Sequence, residues 1–541
     1  MPRFLLIDHS LVSMGGHNFD SDLHLLRAAE EQGCETALAA HRDFRDAHAL
    51  PSHWNVLPVF RHKTYSRHAV TTDPAKRPAN PFRPLPQILT QGALKPWLQQ
   101  RIRLSRFARH LALVCRRFEI GAGDHVLFPT FSEFDLVGLA RFLVRDRRAR
   151  AAHWHLQTHF PFLEGRPGDY ARQEQRIDAL REHYDFLLRQ LPDAHLHFYT
   201  PADLLAEQYN LLGVARFECL PYAVNPAFRP PDSPARRSEP LRVACAGGAR
   251  HEKGVHQLEV VLRACRELVA SGRVRFLVQA KEHEQIPAGA ERVPHPLPID
   301  GYVSFVRDAD VGLFLYDGAR YYARCSGILV EMLCSGVPVI VPAGNWLSEE
   351  IAGEIAAHRE GIERVLRLVD ERALERELAV PAQATHLELR LRCAEPLPAG
   401  AFLRVECSAG ERSSTEIVGP RSSGKPVSAL FPLPCGVRQL TTRWSNAYDQ
   451  RALPSIEARA RFLAGDDVPL GRTGLIAADP EQVAALLDDM LRHHDHYRAS
   501  ARAFAREYCR IHDPRHVLEL LLEKGVVGAE NRVAARAGAR G

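Results

Sequence analysis

The sequence has no long apolar run, no paired cysteine motif and no strong charge of one sign. No uninterrupted apolar stretch reaches the ~18–20 residues of a membrane-spanning helix, and the opening MPRFLLIDHSLV is too short and too polar for a secretory leader. Its 11 cysteines are scattered, which indicates reduced thiols, and the net charge of +5 is small for a nucleic-acid binder. We expect a cytoplasmic protein without a nucleic-acid partner, and leave open attachment to the inner face of the membrane.

The length of 541 residues is too great for one hydrophobic core and predicts two or three domains. The chain opens with an apolar strand, FLLID, followed by the loop SLVSMGG, a segment of helical spacing that stops at Gly33, and the strand ETALAAH. This order is typical of a doubly wound parallel sheet. Further strands are predicted at 54–60, 125–130, 152–159 and 195–200, and a Pro-rich excursion at 73–86.

The same pattern restarts after a Pro-rich linker at 223–240. LRVACAGG is a strand that runs into glycines, and the strands VRFLVQA, DVGLFLY and VPVIVP follow it. Two similar halves joined by a hinge predict an α/β fold with two Rossmann-like domains that face a cleft. The predicted bounds are 1–222 for the N-terminal domain and 241–383 for the first part of the C-terminal domain.

Near residue 384 the periodicity changes to strict alternation. HLELRLRCAE and FLRVECS alternate apolar with charged residues, and turn-rich spacers such as PLPAG and SSGKP separate the strands. We therefore predict an antiparallel β-sandwich-like insertion over 384–464 within the C-terminal domain. Residues 465–526 would complete that domain and add the last helices, and 527–541 has the composition of a disordered tail.

Two glycine loops lie between a strand and the start of a helix. In SMGGHNF, Gly15 and Gly16 let backbone N–H groups approach a phosphate, and a tight turn without a ligand is the alternative. In AGGARHEKG, Arg250 and Lys253 add two cations at the mouth of the second sheet, where open α/β sheets bind ligands. Such a loop suits a diphosphate, and solvated surface charge is the alternative.

The segment RCSGILVEMLCSGVPVIVPAG contains one acid, Glu331, in an apolar run. Ser326 or Gly327 can start a helix whose free N–H groups would face an anion, and Glu331 lies one turn further on. A carboxylate is suited to accept hydrogen bonds from the two hydroxyls of a ribose. The alternative is a buried ion pair with Arg324 or another cation, because an unpaired buried carboxylate is costly.

In sequence order these motifs resemble those of the GT-B glycosyltransferases, specifically the retaining family 4 enzymes that use nucleotide-sugar donors. The resemblance rests on the Gly15–Gly16 loop, GGARHEKG and RCSGILVEMLCSGVPVIVP, with DADVGLFLYDG, DPEQVAALLDDML and LPYAV. It covers most of the chain apart from the insertion and the Pro-rich excursion. It implies transfer of a sugar from a nucleoside diphosphate to a glycan or lipid-linked acceptor, in bacterial surface polysaccharide or glycoconjugate synthesis.

The resemblance also implies roles for individual residues. Lys253, with Arg250 nearby, would contact the donor diphosphate and Glu331 the ribose, while the amides of Gly15–Gly16 and Ser326–Gly327 would bind the phosphates. Catalysis would then consist of positioning the donor and stabilising the departing diphosphate. We identify no covalent nucleophile and no D-x-D metal motif, so the sequence requires neither a cofactor nor a metal.

Two positions depart from the family pattern. Ala323 stands where the first acid of the family's paired-glutamate motif falls, and Gly247 stands where its arginine falls. The identity of the donor sugar is therefore open. Two alternatives from other classes are open as well: a degenerate sugar- or nucleotide-binding protein, and a scaffold whose β-insertion binds a glycan or a partner.

A group of histidines ends the strand predicted at 152–159. Alternation would put His153, His155 and His159 on one face, which allows a metal or a core interpretation, but no cysteine or acid completes a zinc site. The resemblance implies that His159 lies beside the donor sugar as a catalytic residue, and a hydrogen-bonded loop histidine is the alternative. His17, next to Gly16, is a lesser candidate that would face the acceptor.

Residues 94–118 contain no acid and many arginines. Six apolar residues can share one side of a helix here: Trp97, Leu98, Ile102, Phe107, Leu111 and Val114. A basic amphipathic helix of this kind is suited to an anionic membrane surface. A domain helix with a solvated basic face is the alternative, and we favour it.

Overall fold

The structure is a computed structural model, and it describes most of the chain. The described residues are 2–13, 17–63, 94–165, 167–230, 240–342, 345–351, 363–368, 373–382, 384–393, 403–409, 412–418, 427–434, 436–446, 456–464, 473–477 and 480–524.

The N-terminal domain is built on a seven-stranded parallel sheet. Its strands are β1 (Arg3–Asp8), β2 (Glu35–His41), β3 (Asn55–Phe60), β4 (His125–Phe128), β5 (His153–Gln157), β6 (His195–Thr200) and β7 (Phe217–Cys219), in the order β3-β2-β1-β4-β5-β6-β7. Its helices are His17–Glu31, Leu94–Arg117, Glu133–Leu143, Arg147–Arg150, Pro167–Tyr170, Glu174–Arg189 and Asp203–Asn210. All the strands predicted for this half are present, and Gly33 follows the first helix with φ +78°, as a C-terminal stop requires.

After the linker the chain forms a second parallel sheet. Its first strands are β8 (Leu241–Cys245), β9 (Val274–Ala280), β10 (Ala290–Pro294), β11 (Val311–Leu313) and β12 (Val339–Pro342). The helices of this domain are Leu258–Ala264, Arg266–Ala270, Ile299–Arg307, Gly327–Cys334, Val483–Arg492 and His494–Ile511. The strand β10 was not predicted, since AERVP has neither an apolar run nor alternation.

The alternating region forms two antiparallel sheets. Its strands are β13 (Glu363–Leu368), β14 (Ala373–Ala379), β15 (Ala384–Cys393), β16 (Leu403–Ala409), β17 (Arg412–Val418), β18 (Val427–Pro432), β19 (Gln439–Asn446) and β20 (Ile456–Ala464). The orders are β13-β20-β15-β18 and β14-β19-β16-β17. Leu387, Val405, Phe431 and Trp444 lie in a shared core, so the two sheets form a sandwich.

The sandwich starts earlier than the predicted bound of 384. The strands β13 and β14 precede that residue, and they pair with β20 and β19. Their sequences, ERVLRL and ALERELA, are rich in charge, and ERVLRL does not alternate strictly. Only their pairing with distant strands identifies them as part of the insertion.

The strand β21 (Gly474–Ala477) returns the chain to the second parallel sheet, whose order is β10-β9-β8-β11-β12-β21. Val339 of β12 pairs with Gly474 of β21, so the sandwich is inserted between two neighbouring strands. The protein is thus an α/β protein with two Rossmann-like sheets and an antiparallel β-insertion in the C-terminal domain, and the predicted fold class is confirmed.

The end of the chain crosses back to the N-terminal domain. His512 accepts a hydrogen bond at its carbonyl oxygen from the Val224 amide, and its ring lies 2.8 Å from the Tyr222 carbonyl oxygen. A last helix over 514–524 then packs Val517, Leu518 and Leu521 into the same core as Phe4 and Leu6 of β1. This helix ties the two domains together on one side.

The basic helix Leu94–Arg117 presents a different apolar side from the predicted one. Phe107, Leu111 and Val114 are buried as expected, but Leu98 is 50% exposed and Ile102 is 42% exposed, so these two do not lie on the core side. The polar Gln100 takes part in the buried side instead. No helix in the described part of the chain combines the length and the apolar character needed to cross a membrane.

Candidate functional site

The site begins at the glycine turn that follows β8. Gly247 has φ +89°, and its N–H donates to Oε1 of the buried Gln279 on β9 at 2.7 Å. A Cβ at Gly247 would collide with the Ile328 side chain and with the Lys253 ammonium group. The turn is therefore close-packed against the start of the helix Gly327–Cys334, and only glycine fits there.

Lys253 lies in a short 3₁₀ turn, His251–Lys253, beneath this loop. Its Nζ donates to the Gly247 carbonyl oxygen at 2.8 Å and lies 5.4 Å from the centre of the Tyr316 ring. Burial lowers the pKa of Lys253 to about 7, with smaller lowering effects from Arg250 and Arg324 and opposing effects from two acids, of which Glu331 is the larger. An anion bound here would stabilise the charged form of this lysine.

Arg250 lies at the start of the same turn, where it is half-exposed. It forms an ion pair with Glu252 at 3.2 Å, and the other oxygen of Glu252 lies 3.6 Å from Arg320. Arg250 was predicted to supply a cation here, and its charge is already partly compensated by Glu252.

The helix Gly327–Cys334 starts where it was predicted to start. Ser326 is its N-cap, and its Oγ accepts a hydrogen bond from the Leu329 amide at 3.4 Å. The hydroxyl is therefore used to cap the helix. Ser326 and Gly327 still place the positive end of the helix beside Lys253, because Ile328 touches the same glycine turn.

Glu331 is 2% exposed and lies one turn into this helix. Its Oε2 accepts a hydrogen bond from the Tyr302 hydroxyl at 2.6 Å. Burial raises the pKa of Glu331 to about 8; the Tyr302 bond and Lys253 lower it, and Asp20 of the N-terminal domain raises it further. The predicted alternative of an ion pair with Arg324 is not formed among the described residues.

His159 follows β5 in the N-terminal domain. Its ring donates to the Pro129 carbonyl oxygen, and its Nε2 is buried without a hydrogen-bond partner among the described residues. Burial lowers the pKa of His159 to about 4, and Arg324 of the C-terminal domain lowers it further. The ring is therefore neutral at pH 7, and Nε2 can accept a hydrogen bond.

Arg324 connects the two sides of the site. Its guanidinium carbon lies 5.0 Å from the ring centre of Tyr321 in its own domain and 5.8 Å from that of Phe160 in the N-terminal domain. Asp20 likewise acts across the domain boundary on Glu331. His159, Lys253, Ser326, Gly327 and Glu331 thus lie near one another where the two domains meet.

The other predicted residues are described only in part. Gly15 and Gly16 lie outside the described residues. His17 is the first residue of the helix His17–Glu31, but its side chain also lies outside them. The roles predicted for these three residues stay predictions.

His153 and His155 of β5 do not take part in the site that contains His159. His153 and His155 lie on one sheet face, where their rings stack with those of His125 and His197 on the neighbouring strands. The His195 ring lies against His153 at a tilt. His125 Nδ1 lies 3.0 Å from His155 Nε2, and burial lowers the pKa of His125 and of His197 to about 4. Neutral rings packed in this way favour the core interpretation. No group of three or more His, Cys, Asp or Glu side chains within the described ranges is arranged to hold a metal ion.

No family model matches the sequence, and no curated protein is similar to it. Among solved structures, the chain is similar to the sucrose-phosphate synthase of Thermosynechococcus elongatus, with 12% identity, a TM-score of 0.41 and coverage of 65% of this chain and 84% of that one. The E. coli trehalose-6-phosphate structure bound with UDP-2-fluoro glucose aligns with 13% identity, a TM-score of 0.42, and 66% and 86% coverage. The spinosyn forosaminyltransferase SpnP aligns with 11% identity, a TM-score of 0.42, and 97% and 99% coverage.

Sequence reasoning missed two residues of the cleft. Tyr302 comes from the helix Ile299–Arg307, and no motif in that segment marks it as the donor to Glu331. Arg324 was considered only as an ion-pair partner of Glu331, although it immediately precedes the helix start that was predicted to bind an anion. Its position one residue after Ala323 and two before Ser326 was the available signal.

Proposed function

We propose that the protein is a glycosyltransferase that transfers a sugar from a nucleoside diphosphate donor to a hydroxyl of a glycan or lipid-linked acceptor. The observation that carries this proposal is the meeting of Lys253, the start of the helix Gly327–Cys334 and the buried Glu331 in one cleft between two Rossmann-like domains. A cation, a helix N-terminus and a carboxylate suit a diphosphate joined to a ribose.

The donor would lie mainly on the C-terminal domain. Lys253 and the amides of Ser326 and Gly327 bind the diphosphate, with Arg250 as a further cation at the mouth. Glu331 accepts hydrogen bonds from the ribose hydroxyls. In this arrangement Lys253 lies beside the negatively charged phosphates and Glu331 beside the ribose hydroxyls, so each buried ionisable group has a polar partner on the ligand.

The N-terminal domain would supply the other half of the site. His159 is neutral, and its buried Nε2 has no hydrogen-bond partner among the described residues, so it can accept a hydrogen bond from a hydroxyl of the donor sugar. The Gly15–Gly16 loop contributes amides to the phosphates, and His17 faces the acceptor. These last three assignments come from the sequence resemblance alone.

The chemical step needs no covalent intermediate with the protein. The bond between the anomeric carbon and the β-phosphate oxygen breaks, and its electron pair leaves with the diphosphate. The acceptor hydroxyl oxygen forms the new bond to the anomeric carbon, and its proton passes to a departing phosphate oxygen. Attack on the same face as the departing group gives retention, which the family resemblance implies. The protein stabilises the charge on the leaving group.

The proposal extends to the acceptor and to the place in the cell where the enzyme would meet it. A cytoplasmic enzyme of polysaccharide or glycoconjugate synthesis would receive its acceptor at the inner face of the membrane. The exposed Leu98 and Ile102 on the arginine-rich helix Leu94–Arg117 support a surface that meets anionic lipid. Neither a metal nor a cofactor has a role in the step as proposed.

The test is a screen of nucleotides against the wild type and Glu331→Ala. Thermal stabilisation by UDP, GDP, ADP and dTDP and their sugar derivatives identifies the nucleoside, since a ligand of the native state raises its stability. We expect Glu331→Ala to weaken binding of that nucleoside diphosphate by about tenfold or more, since two hydrogen bonds to a charged group are lost. Glu291→Ala, which removes a surface partner of Arg275, is the matched control.

Two results would contradict parts of this proposal. Unchanged affinity of Glu331→Ala for every nucleotide would overturn the ribose assignment. Tight binding of a nucleotide sugar without any slow hydrolysis to free sugar and nucleoside diphosphate would favour a binding protein over an enzyme. The alanine at position 323, which is buried in an apolar setting, makes that second measurement necessary.

A further inference from the structure

Arg324 differs from the other two cations of this site because it has no ionic partner among the described residues. Arg250 is paired with Glu252, and Lys253 donates to the Gly247 carbonyl oxygen. The guanidinium of Arg324 makes no ion pair or hydrogen bond with the residues that the structure describes. It lies instead over the rings of Tyr321 and Phe160, and these cation–π contacts do not neutralise its charge.

The surroundings of Arg324 point to an anionic ligand. It is close enough to Lys253 and to His159 to lower the pKa of both, so two cations and one neutral acceptor face the same space. Of the two acids that act on Lys253, Glu331 has the larger effect, and it accepts a hydrogen bond from the Tyr302 hydroxyl. An anion bound between Arg324 and Lys253 would reduce the repulsion between the two side chains and favour the charged form of the lysine.

The position of Arg324 along the chain favours a phosphate group of the donor as the anion. It comes two residues before the N-cap Ser326, so its backbone leads directly into the helix start proposed to hold the diphosphate. Its side chain extends across the cleft toward Phe160, on the side where the sugar and the acceptor would meet. An arginine there can offer a planar pair of N–H donors to the terminal phosphate, next to the bond that breaks.

We propose that Arg324 is a catalytic residue that binds the β-phosphate of the donor together with Lys253. The inference rests on the proposed function, and it assigns to Arg324 the main share of the charge that Arg250 was expected to supply. In the transfer step the guanidinium stabilises the negative charge that forms on the β-phosphate oxygen as the anomeric bond breaks.

The experiment compares a nucleoside diphosphate with its monophosphate by isothermal titration calorimetry, using the nucleoside that stabilises the wild type. The variants are Arg324→Ala, Arg324→Lys and, as a control four residues away, the exposed Arg320→Ala. We expect Arg324→Ala to weaken the diphosphate by about tenfold to a hundredfold and the monophosphate hardly at all. Arg324→Lys should recover part of the loss, and Arg320→Ala should behave as the wild type.

Arg324→Gln provides a second variant that keeps a planar group over the two rings if Arg324→Ala does not fold. An unchanged ratio of diphosphate to monophosphate affinity in both neutral variants would overturn the inference. An equal loss of affinity for the diphosphate and the monophosphate would also overturn it, because Arg324 would then bind another part of the donor. The same holds if Arg250→Ala lowers the ratio of diphosphate to monophosphate affinity more than Arg324→Ala does. If the wild type binds no nucleoside diphosphate, the proposed function itself fails, and the inference fails with it.

Discussion

Replacing Glu331 by glutamine removes one buried ionisable group and keeps the acceptor for the Tyr302 hydroxyl. Burial raises the pKa of Glu331 from 4.5 to about 8, against the opposing effect of that hydrogen bond. Between these two pH values the unfolded chain has lost the proton and the folded protein still holds it. The folded state binds more protons, so the free energy of unfolding of the wild type falls as pH rises through this window.

The size of the effect follows from the shift. Each pH unit inside the window contributes about 1.4 kcal/mol, so the wild type should lose about 3–4 kcal/mol between about pH 5 and pH 8 relative to Glu331→Gln. The side chain is 2% exposed, so solvent screens little of this energy. The variant should thus gain stability over the wild type as pH rises, while it loses affinity for the nucleotide.

Urea denaturation of both proteins at a series of pH values, followed by tryptophan fluorescence, measures this difference. The other titrating groups are shared, so their contributions cancel in the comparison, except that of Lys253, whose pKa depends on Glu331. Repeating the comparison in a Lys253→Met background removes that contribution. A stability difference that stays constant from about pH 5 to pH 8 would show that Glu331 is ionised in the folded state, and the argument from burial would be wrong.

Two further predictions concern other parts of the molecule. Gly247→Ala should lose about 1–3 kcal/mol more of its free energy of unfolding than Gly33→Ala, and it should no longer be stabilised by the nucleotide. Both glycines have positive φ, but only Gly247 is packed against Lys253 and Ile328. Equal behaviour of the two variants in thermal unfolding would contradict this. The wild type should sediment with anionic vesicles at low salt, and a variant with Leu98→Glu and Ile102→Glu should not, since both exposed side chains lie on the arginine-rich helix. Wild-type protein that stays in the supernatant would exclude binding of this helix to an anionic membrane surface.

Local patterns were sufficient to predict most strands of the two parallel sheets, with β7 and β10 as the exceptions. FLLID, ETALAAH and VPVIVP are short apolar runs bounded by turn residues, and such runs form buried parallel strands because both of their faces are covered. The glycine turn and the helix start at Ser326 were predictable for the same reason, since a cap and a glycine are local signals. The alternation after residue 384 likewise identified the inserted sheets.

Contacts between distant segments could not be predicted in this way. The hydrogen bond between Tyr302 and Glu331 joins residues 29 positions apart on two helices, and Arg324 contacts Phe160 across the domain boundary. Neither pair leaves a periodic or compositional signal, because each depends on how two domains are packed. The face of the helix Leu94–Arg117 was misjudged for a related reason: which of its apolar residues are buried depends on the surface against which it packs.

The opposite pKa shifts of Lys253 and Glu331 lead to a final prediction about proton exchange on binding. The pKa of Lys253 is lowered to about 7 and that of Glu331 is raised to about 8, so near neutral pH both groups are partly uncharged in the empty cleft. A bound nucleoside diphosphate favours the ammonium beside its phosphates and the carboxylate beside its ribose.

The net exchange should therefore change sign with pH. At about pH 6, Lys253 already carries its proton and Glu331 is still protonated, so binding releases a proton from Glu331. At about pH 9, Glu331 is already ionised and Lys253 is neutral, so binding takes up a proton. Calorimetric titrations in buffers of different ionisation enthalpy measure both values. The ligand is the nucleotide sugar, because its diphosphate diester has no terminal phosphate proton to exchange in this pH range. Glu331→Gln should abolish the release at low pH while it keeps the uptake at high pH. Binding enthalpies that do not depend on the buffer at either pH would mean that the nucleotide contacts neither group.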